Sequence, residues 1–454
     1  MTPLQFEGRP VPDILVRPPG PRSRAQRARE LAVLYRGTGE HLAPLVMARK
    51  SGLVVEDIDG NLLLDMASAS ASVPLGACQP RLVEVAVAAL RRYGNEDTHV
   101  LTTELVAPLA ERLVELAPPA CTRVDFALNG TEAVEIAVRL MRRATGRPII
   151  IGFLGGYHGE TTATASLGAE IAELSRGVRP TAAGFVHVPY PNPYRNPFAA
   201  PRAGGSGDAT VDYLRDYVLF HAVDPADVAG VIIEPVLGSG GVVMPPASFF
   251  PALAGLCAEH DWLLCADEVK TGCGRCGTFL AVERLGVDPD LICLGKGLGG
   301  GVAPIGAVLG SERVLGAFDD VSTGSTWAWL PASCAAALAT IDELTQPGVL
   351  AHVREIEKRS LASFGALADR FAAIGDVRSV GALTAIEFVR DKVTRERDPD
   401  LQDAVAREML ARGLITDSST TSLNIQPSLV TPLEVIDQAA QIVAEAIASE
   451  RGFG

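Results

Sequence analysis

From Leu263 to Gly301 the chain reads LLCADEVKTGCGRCGTFLAVERLGVDPDLICLGKGLGGG. No other stretch limits the fold as tightly. Two short apolar runs, Trp262–Ala266 and Leu291–Leu294, each give way to a charged, glycine-rich turn. Apolar runs of this length between turn signals predict strands buried on both faces, as in a mainly parallel sheet. Asp267 and Lys296 then stand just past the carboxyl ends of two strands, where an open α/β sheet places its ligand crevice.

A buried carboxylate and a buried ammonium are each costly without a partner. Pyridoxal phosphate uses both: an amine holds its aldehyde as a Schiff base, and a carboxylate keeps its ring nitrogen protonated. Lysine is scarce, with Lys50, Lys270, Lys296, Lys358 and Lys392 the whole set. Lys270 and Lys296 adjoin the strand ends, and Lys296 stands in GKGLGGG, where a bulky group can approach the backbone. Lys296 is therefore the candidate Schiff-base lysine. Other readings exist for each residue alone. GKG lacks the GxxxxGK[ST] spacing of a phosphate loop, but a solvated loop lysine and a helix-capping Asp267 are both ordinary.

At 454 residues the chain has room for two or three domains. A hydrophobic content of 48% and mean hydropathy of +0.22 fit a packed globular protein. A net charge of −14 and pI of about 5.1 argue against nucleic acid or an anionic membrane as partner. The basic cluster Arg17–Arg29 is local and reads as a solvated helix start. No run of about 18 apolar residues predicts a membrane span. The first residues lack an apolar signal-peptide core. Eight cysteines without a framework spacing point to reduced thiols and a cytoplasmic setting. Cys273-x-x-Cys276, with no second pair nearby, is a weak zinc signal.

Along the chain, Leu53–Val55 and Leu62–Leu64 flank EDIDGN and predict a β-hairpin. MASASASVPLG follows as a small-residue loop. Helical periodicity covers Leu82–Tyr93 and Glu104–Leu116. Val124–Leu128 is a strand, followed by Asn129-Gly130-Thr131 and a helix. Open N–H groups and the helix dipole make such a start a natural phosphate site, though an ordinary N-cap has the same residues. The strand Pro148–Phe153 ends in GGYHGET, whose Tyr157 suits stacking on a planar ring or a place in the core. Pro189–Gly207 reads as a surface loop, and Val228–Ile233 as a strand ending in Glu234-Pro235. Strand Ile305–Leu309 and helix Cys334–Leu344 come next. Beyond Gly348 the pattern becomes α+β, with a strand pair in DVRSVGALTAIEFV and helices at Leu401–Arg412 and from Pro432, where Thr431 and Glu434 have capping-box spacing.

Gly-Thr-Glu at a helix start, GGYHG, IIEP, ADEV and GKG occur in that order. With this motif set the chain resembles the class III aminotransferases of fold-type I pyridoxal-phosphate enzymes, from about Pro18 to its C-terminus. The resemblance implies an α/β fold: a large cofactor-binding domain with a mostly parallel sheet at 69–325, and a smaller α+β domain from 1–68 and 326–454. It also implies a homodimer with shared active sites.

The roles it implies are specific. Gly130 and Thr131 bind the cofactor phosphate, and Tyr157 stacks on the ring with His158 beside it. Glu234 supports the site, Asp267 pairs with the ring nitrogen, and Val269 packs under the ring. Lys296 is the Schiff-base lysine and moves the proton between Cα and C4′. Ser325 and Thr326 also belong to the cofactor site, Thr326 reaching the phosphate of the neighbouring subunit. Lys270, where glutamine is common, either holds the cofactor's phenolic oxygen anionic or forms a peripheral salt bridge.

The implied activity is transamination between a primary amine or amino acid and a carbonyl acceptor, by a ping-pong mechanism. Three departures bear on the substrate. Ser239 replaces an acidic residue in IIEPVLGSGG, and Asn424 replaces an arginine in TSLNIQPSL, so the usual glutamate site is in question. Ala328-Trp329-Leu330 replaces Gly-Gly-Asn, predicting a reshaped entrance. DEVK, PYPNPYR, DMASASA and the missing arginine look like the family's amino-acid and lactam racemase branch, the alternative activity. An NAD-dependent oxidoreductase would need an early GxGxxG unit, which is absent. A pyridoxal-binding regulator would need a DNA-binding module, and none is visible before residue 50.

Overall fold

The apolar runs that predict buried strands do form them. The computed structural model describes residues 4–34, 44–170, 181–198, 205, 208–318, 325–419 and 421–451. Its contacts divide the chain into two units, 80–347 and the pair 1–79 with 348–454. These units part at 79/80 and 347/348, and the domain divisions expected from sequence stand at 68/69 and 325/326. The helix Pro331–Leu344 packs within the larger unit, its small side chains Ala332 and Ala336 forming one buried cluster with Ala86 of the helix Pro80–Tyr93.

In the larger unit seven strands form one sheet: β1 (Arg123–Ala127), β2 (Ile149–Leu154), β3 (Phe185–Pro189), β4 (Val228–Ile233), β5 (Leu263–Asp267), β6 (Leu291–Leu294) and β7 (Gly306–Gly310). Their spatial order is β1-β7-β6-β5-β4-β2-β3. All neighbours are parallel except β7, which is antiparallel to both β6 and β1. Strands β4, β5 and β6 are buried at every residue, as the continuous apolar runs require. Because β1, β2, β4, β5 and β6 run the same way, the segments after them emerge at one edge of the sheet. Those segments begin at Leu128, Gly155, Glu234, Glu268 and Gly295.

Helix α1 (Gly130–Thr145) covers one face, burying Val134, Ile136, Val138, Leu140 and Met141 against sheet residues such as Ile232, Cys265 and Val308. Its exposed side carries Arg139 and Arg143, so its amphipathy fixes which face meets the sheet. Gly146, at φ +70°, ends it in the left-handed conformation that glycine adopts freely.

The smaller unit joins both ends of the chain. Met47–Ser51, Val54–Asp57 and Leu62–Asp65 form an antiparallel meander, and Leu414–Ile415 adds to it in parallel with Leu62–Asp65. The Asp57 carboxylate accepts the N–H groups of Asp59 and Asn61, both at 2.9 Å, which closes the predicted hairpin turn. A second, antiparallel sheet contains Ile374–Val380, Leu383–Asp391, Leu423–Ile425 and Asp417–Ser418. The helix Val349–Arg370 packs on it. No helix among the described residues is long and apolar enough to cross a membrane.

Candidate active site

Asp267 ends β5, and its side chain is buried. One carboxylate oxygen lies 2.7 Å from His158 Nδ1, and the other accepts the Val269 N–H at 3.0 Å. His158 is brought there by the turn after β2, 109 residues away in sequence. Burial works against a charged imidazole, but the bond to Asp267 and that carboxylate's charge outweigh it and raise the His158 pKa above its ordinary value. Glu234 also favours the charged ring and Lys296 opposes it, so all four groups share one electrostatic neighbourhood.

Glu234, just past β4, is buried and accepts two backbone N–H groups, Tyr157 at 2.9 Å and Gly238 at 2.8 Å. Burial raises its pKa, although nearby His158 and the two N–H donors pull the other way. The Tyr157 ring is half-buried, and its hydroxyl donates to Glu160 at 3.3 Å. Burial and the Glu160 charge push the phenol up to about 12.

Lys296 follows β6 after Gly295 and opens a short 3-10 turn. It is half-buried, with φ +40°, a left-handed conformation unusual for a residue with a side chain. Backbone strain of this kind gathers at functional sites. Gly295 and Gly130 are needed for close packing: a Cβ on Gly295 would lie 2.9 Å from Gly130 Cα, and one on Gly130 would lie 2.4 Å from Val269 Cγ1. The Lys296 turn, the Val269 turn and the start of α1 are thereby pressed together.

At that helix start Asn129 accepts the Glu132 N–H at 3.0 Å, an N-cap as its residue type predicts. Among the described residues no hydrogen bond engages the Gly130 and Thr131 N–H groups, so this helix end is open to an anion. Gly159 sits against Thr131, since a Cβ there would fall 2.6 Å from the Thr131 side chain. A cavity of about 670 Å³ opens beside them, lined in part by Asn129, Thr131 and Thr161.

Lys270 is buried. A Cβ on Gly238 would lie 2.5 Å from Lys270 Cδ and 3.1 Å from Glu234 Oε2, so the lysine stem passes beside Glu234. Ser239 is half-buried next to Gly238. Ser325 has a buried hydroxyl without a partner, and Thr326 is exposed. Neither joins the network around Asp267 among the described residues. In the smaller unit Asn424 is buried and accepts the Ser422 hydroxyl at 2.9 Å.

The Trp329 ring is buried against Phe126, and its N–H donates to Gly306 O at 2.8 Å. One sequence reading needs correction. The segment from Pro189 is not surface loop throughout. Tyr190 is buried, packed on Phe153 and Phe249, and its hydroxyl donates to the Glu234 and Pro235 carbonyls at 3.1 and 3.2 Å. Sequence reasoning also passed over Glu268, fully buried in the same turn as Asp267.

An open helix start, a half-buried ammonium, a buried carboxylate braced by histidine and a half-buried aromatic make a donor set that suits pyridoxal phosphate. The comparisons agree. An alanine/serine racemase of Pyrococcus horikoshii is 34% identical, over 96% of this chain and 92% of its own length. A 4-aminobutyrate aminotransferase of Mycobacterium tuberculosis is 34% identical, over 99% of this chain and its full length. An amine transaminase from an uncultivated Pseudomonas species, solved in its PLP-bound form, superposes with a TM-score of 0.84 at 28% identity, covering 92% of this chain and 97% of its own. The family model for Aminotransferase class-III matches residues 35–447, and with the sheet edge built as above this chain belongs to the class III aminotransferases.

Proposed function

We propose that this aminotransferase moves an amino group between a primary amine or amino acid and a carbonyl acceptor by a ping-pong mechanism, with Lys296 and Asp267 as its two chemical poles. The observation that carries this is the buried His158–Asp267 pair at the tip of β5, with Lys296 at the end of the adjacent strand. When bound, pyridoxal phosphate supplies an aldehyde that takes up the amine and a protonated ring that draws electrons from the substrate's Cα.

The chain's own residues do the rest. Asp267 keeps the proton on the ring nitrogen, and His158 holds Asp267 in place. Glu234 pins the Tyr157 backbone and so sets the aromatic ring for stacking, with Val269 on the turn after Asp267 to pack under the cofactor ring. The Gly130 and Thr131 N–H groups bind the phosphate. Lys296 holds the aldehyde, yields to the substrate amine, and then moves the proton between Cα and C4′. Lys270, beside Glu234, faces the cofactor's phenolic oxygen in this reading. Ser325 belongs to the cofactor site, and Thr326 serves the phosphate of a neighbouring subunit in a cytoplasmic homodimer.

The second reading, an amino-acid racemase or epimerase, is supported by the Pyrococcus relative and by the uncharged Ser239 and Asn424. In it Lys296 shares the proton work with an acid on the opposite face of Cα. Incubation of the holoenzyme with single amino acids, each with a carbonyl acceptor, decides between them. Keto-acid formation supports transamination. Optical rotation lost without keto acid contradicts it and rules for racemisation.

A further inference from the structure

Glu268 lies between Asp267 and the turn that follows, and its side chain is fully buried. Its hydrogen bonds reach three parts of the larger unit. Its N–H donates to Cys293 O on β6 at 3.0 Å, three residues before Lys296, and its carbonyl accepts the Gly272 N–H at 2.9 Å. The carboxylate accepts the Val282 N–H at 2.8 Å and the Thr271 hydroxyl.

We infer that Glu268 is a positioning residue: its carboxylate ties the 281–282 segment and the Thr271 turn to the tip of β5, and so fixes Asp267 against Lys296. The backbone pair between Glu268 and Cys293 joins the two strand ends, but a strand-end residue is held only as firmly as the turn beyond it. Here that turn is closed by a side chain reaching across fourteen residues to Val282. Among the described residues no ion pair explains the buried acid, and the nearby Asp267 charge works against its ionisation. A carboxylate placed here at the cost of burial is better accounted for by the geometry it imposes than by its contribution to stability.

The inference rests on reading Asp267 and Lys296 as the cofactor's two holders, and the test separates the two claims. The apoprotein and its variants are titrated with pyridoxal phosphate and followed by absorbance, at a temperature where circular dichroism shows each to be folded. Glu268→Ala is expected to weaken cofactor binding by about tenfold to a hundredfold and to lower kcat more than it raises KM for the amine, as displacement of a reacting group by about an ångström does. Glu268→Gln, which still accepts the Val282 N–H, restores binding to within a few-fold of the parent. Thr271→Val removes one bond and shows a smaller loss in the same direction. A folded Glu268→Ala with parental affinity overturns the inference, as does an unaltered Thr271→Val should Glu268→Ala fail to fold. If instead Asp267→Ala and Lys296→Ala bind the cofactor normally, it is the reading of the site that fails.

Discussion

Replacing Glu268 by glutamine changes how stability depends on pH. Burial, opposed in part by the Thr271 hydroxyl and the N–H groups of Val282 and Ala281, pushes this carboxyl from 4.5 up to about 7. That difference corresponds to about 3 kcal/mol. Between these two pH values the folded chain holds a proton that the unfolded chain has released, so folding weakens as pH rises. The favourable contribution is complete below 4.5 and lost above about 7. Glutamine carries no such proton. The stability of Glu268→Gln minus that of the parent is therefore expected to climb by about 3 kcal/mol from pH 4.5 to pH 8, most of it between pH 5 and 7, and then to level off. Urea titrations of the apoprotein at a series of pH values measure this. Trp262, Trp327 and Trp329 are the chain's three tryptophans, and all lie in the 80–347 unit, so fluorescence reports on the unit that holds Glu268. Two stability curves that stay parallel across this range would refute the argument, because Glu268 would then be ionised in the folded chain at little cost.

Two further outcomes follow from the packing. Gly130→Ala places a Cβ 2.4 and 2.8 Å from the two Val269 methyl carbons and should cost about 1–3 kcal/mol. Adding Val269→Ala should recover most of the loss in the urea midpoint, and no recovery would mean that the helix start is not held by this contact. Tyr157→Phe should bind pyridoxal phosphate within about threefold of the parent, because the ring and not the hydroxyl supplies the stacking, whereas Tyr157→Ala should lose about tenfold. Equal losses in the two variants, by absorbance titration, would assign the effect to the hydroxyl bond with Glu160.

How much of this was legible in the sequence depends on the range over which each signal acts. Strands β4, β5 and β6 could be read because burial on both faces leaves an unbroken apolar run, and the turn residues that end each run mark its tip. The positions of Asp267 and Lys296 at one sheet edge followed from that alone. The reversed direction of β7 could not be read, since an apolar run looks alike whichever way it enters a sheet. Strand β3 was missed because its residues are mostly half-buried, with His187 among them, so it lacks both the unbroken run and a clean alternation. The open helix start at Gly130 was visible as a strand, a turn and a helix. Its need for glycine was not, because Val269 arrives from 139 residues away. His158 was placed in the site by resemblance, but its bond to Asp267 depends on two loops meeting across the sheet edge. Glu268 gave no signal: an acidic residue beside another acidic residue reads as solvated until the fold buries it.

The central claim is that Lys296 is the amine that takes the cofactor. The most direct measurement is reduction of the holoenzyme with borohydride, followed by proteolysis and mass spectrometry. The account predicts a phosphopyridoxyl group on the peptide containing Lys296 and none on the peptide containing Lys270. The label on Lys270, or on any other of the five lysines, would contradict it.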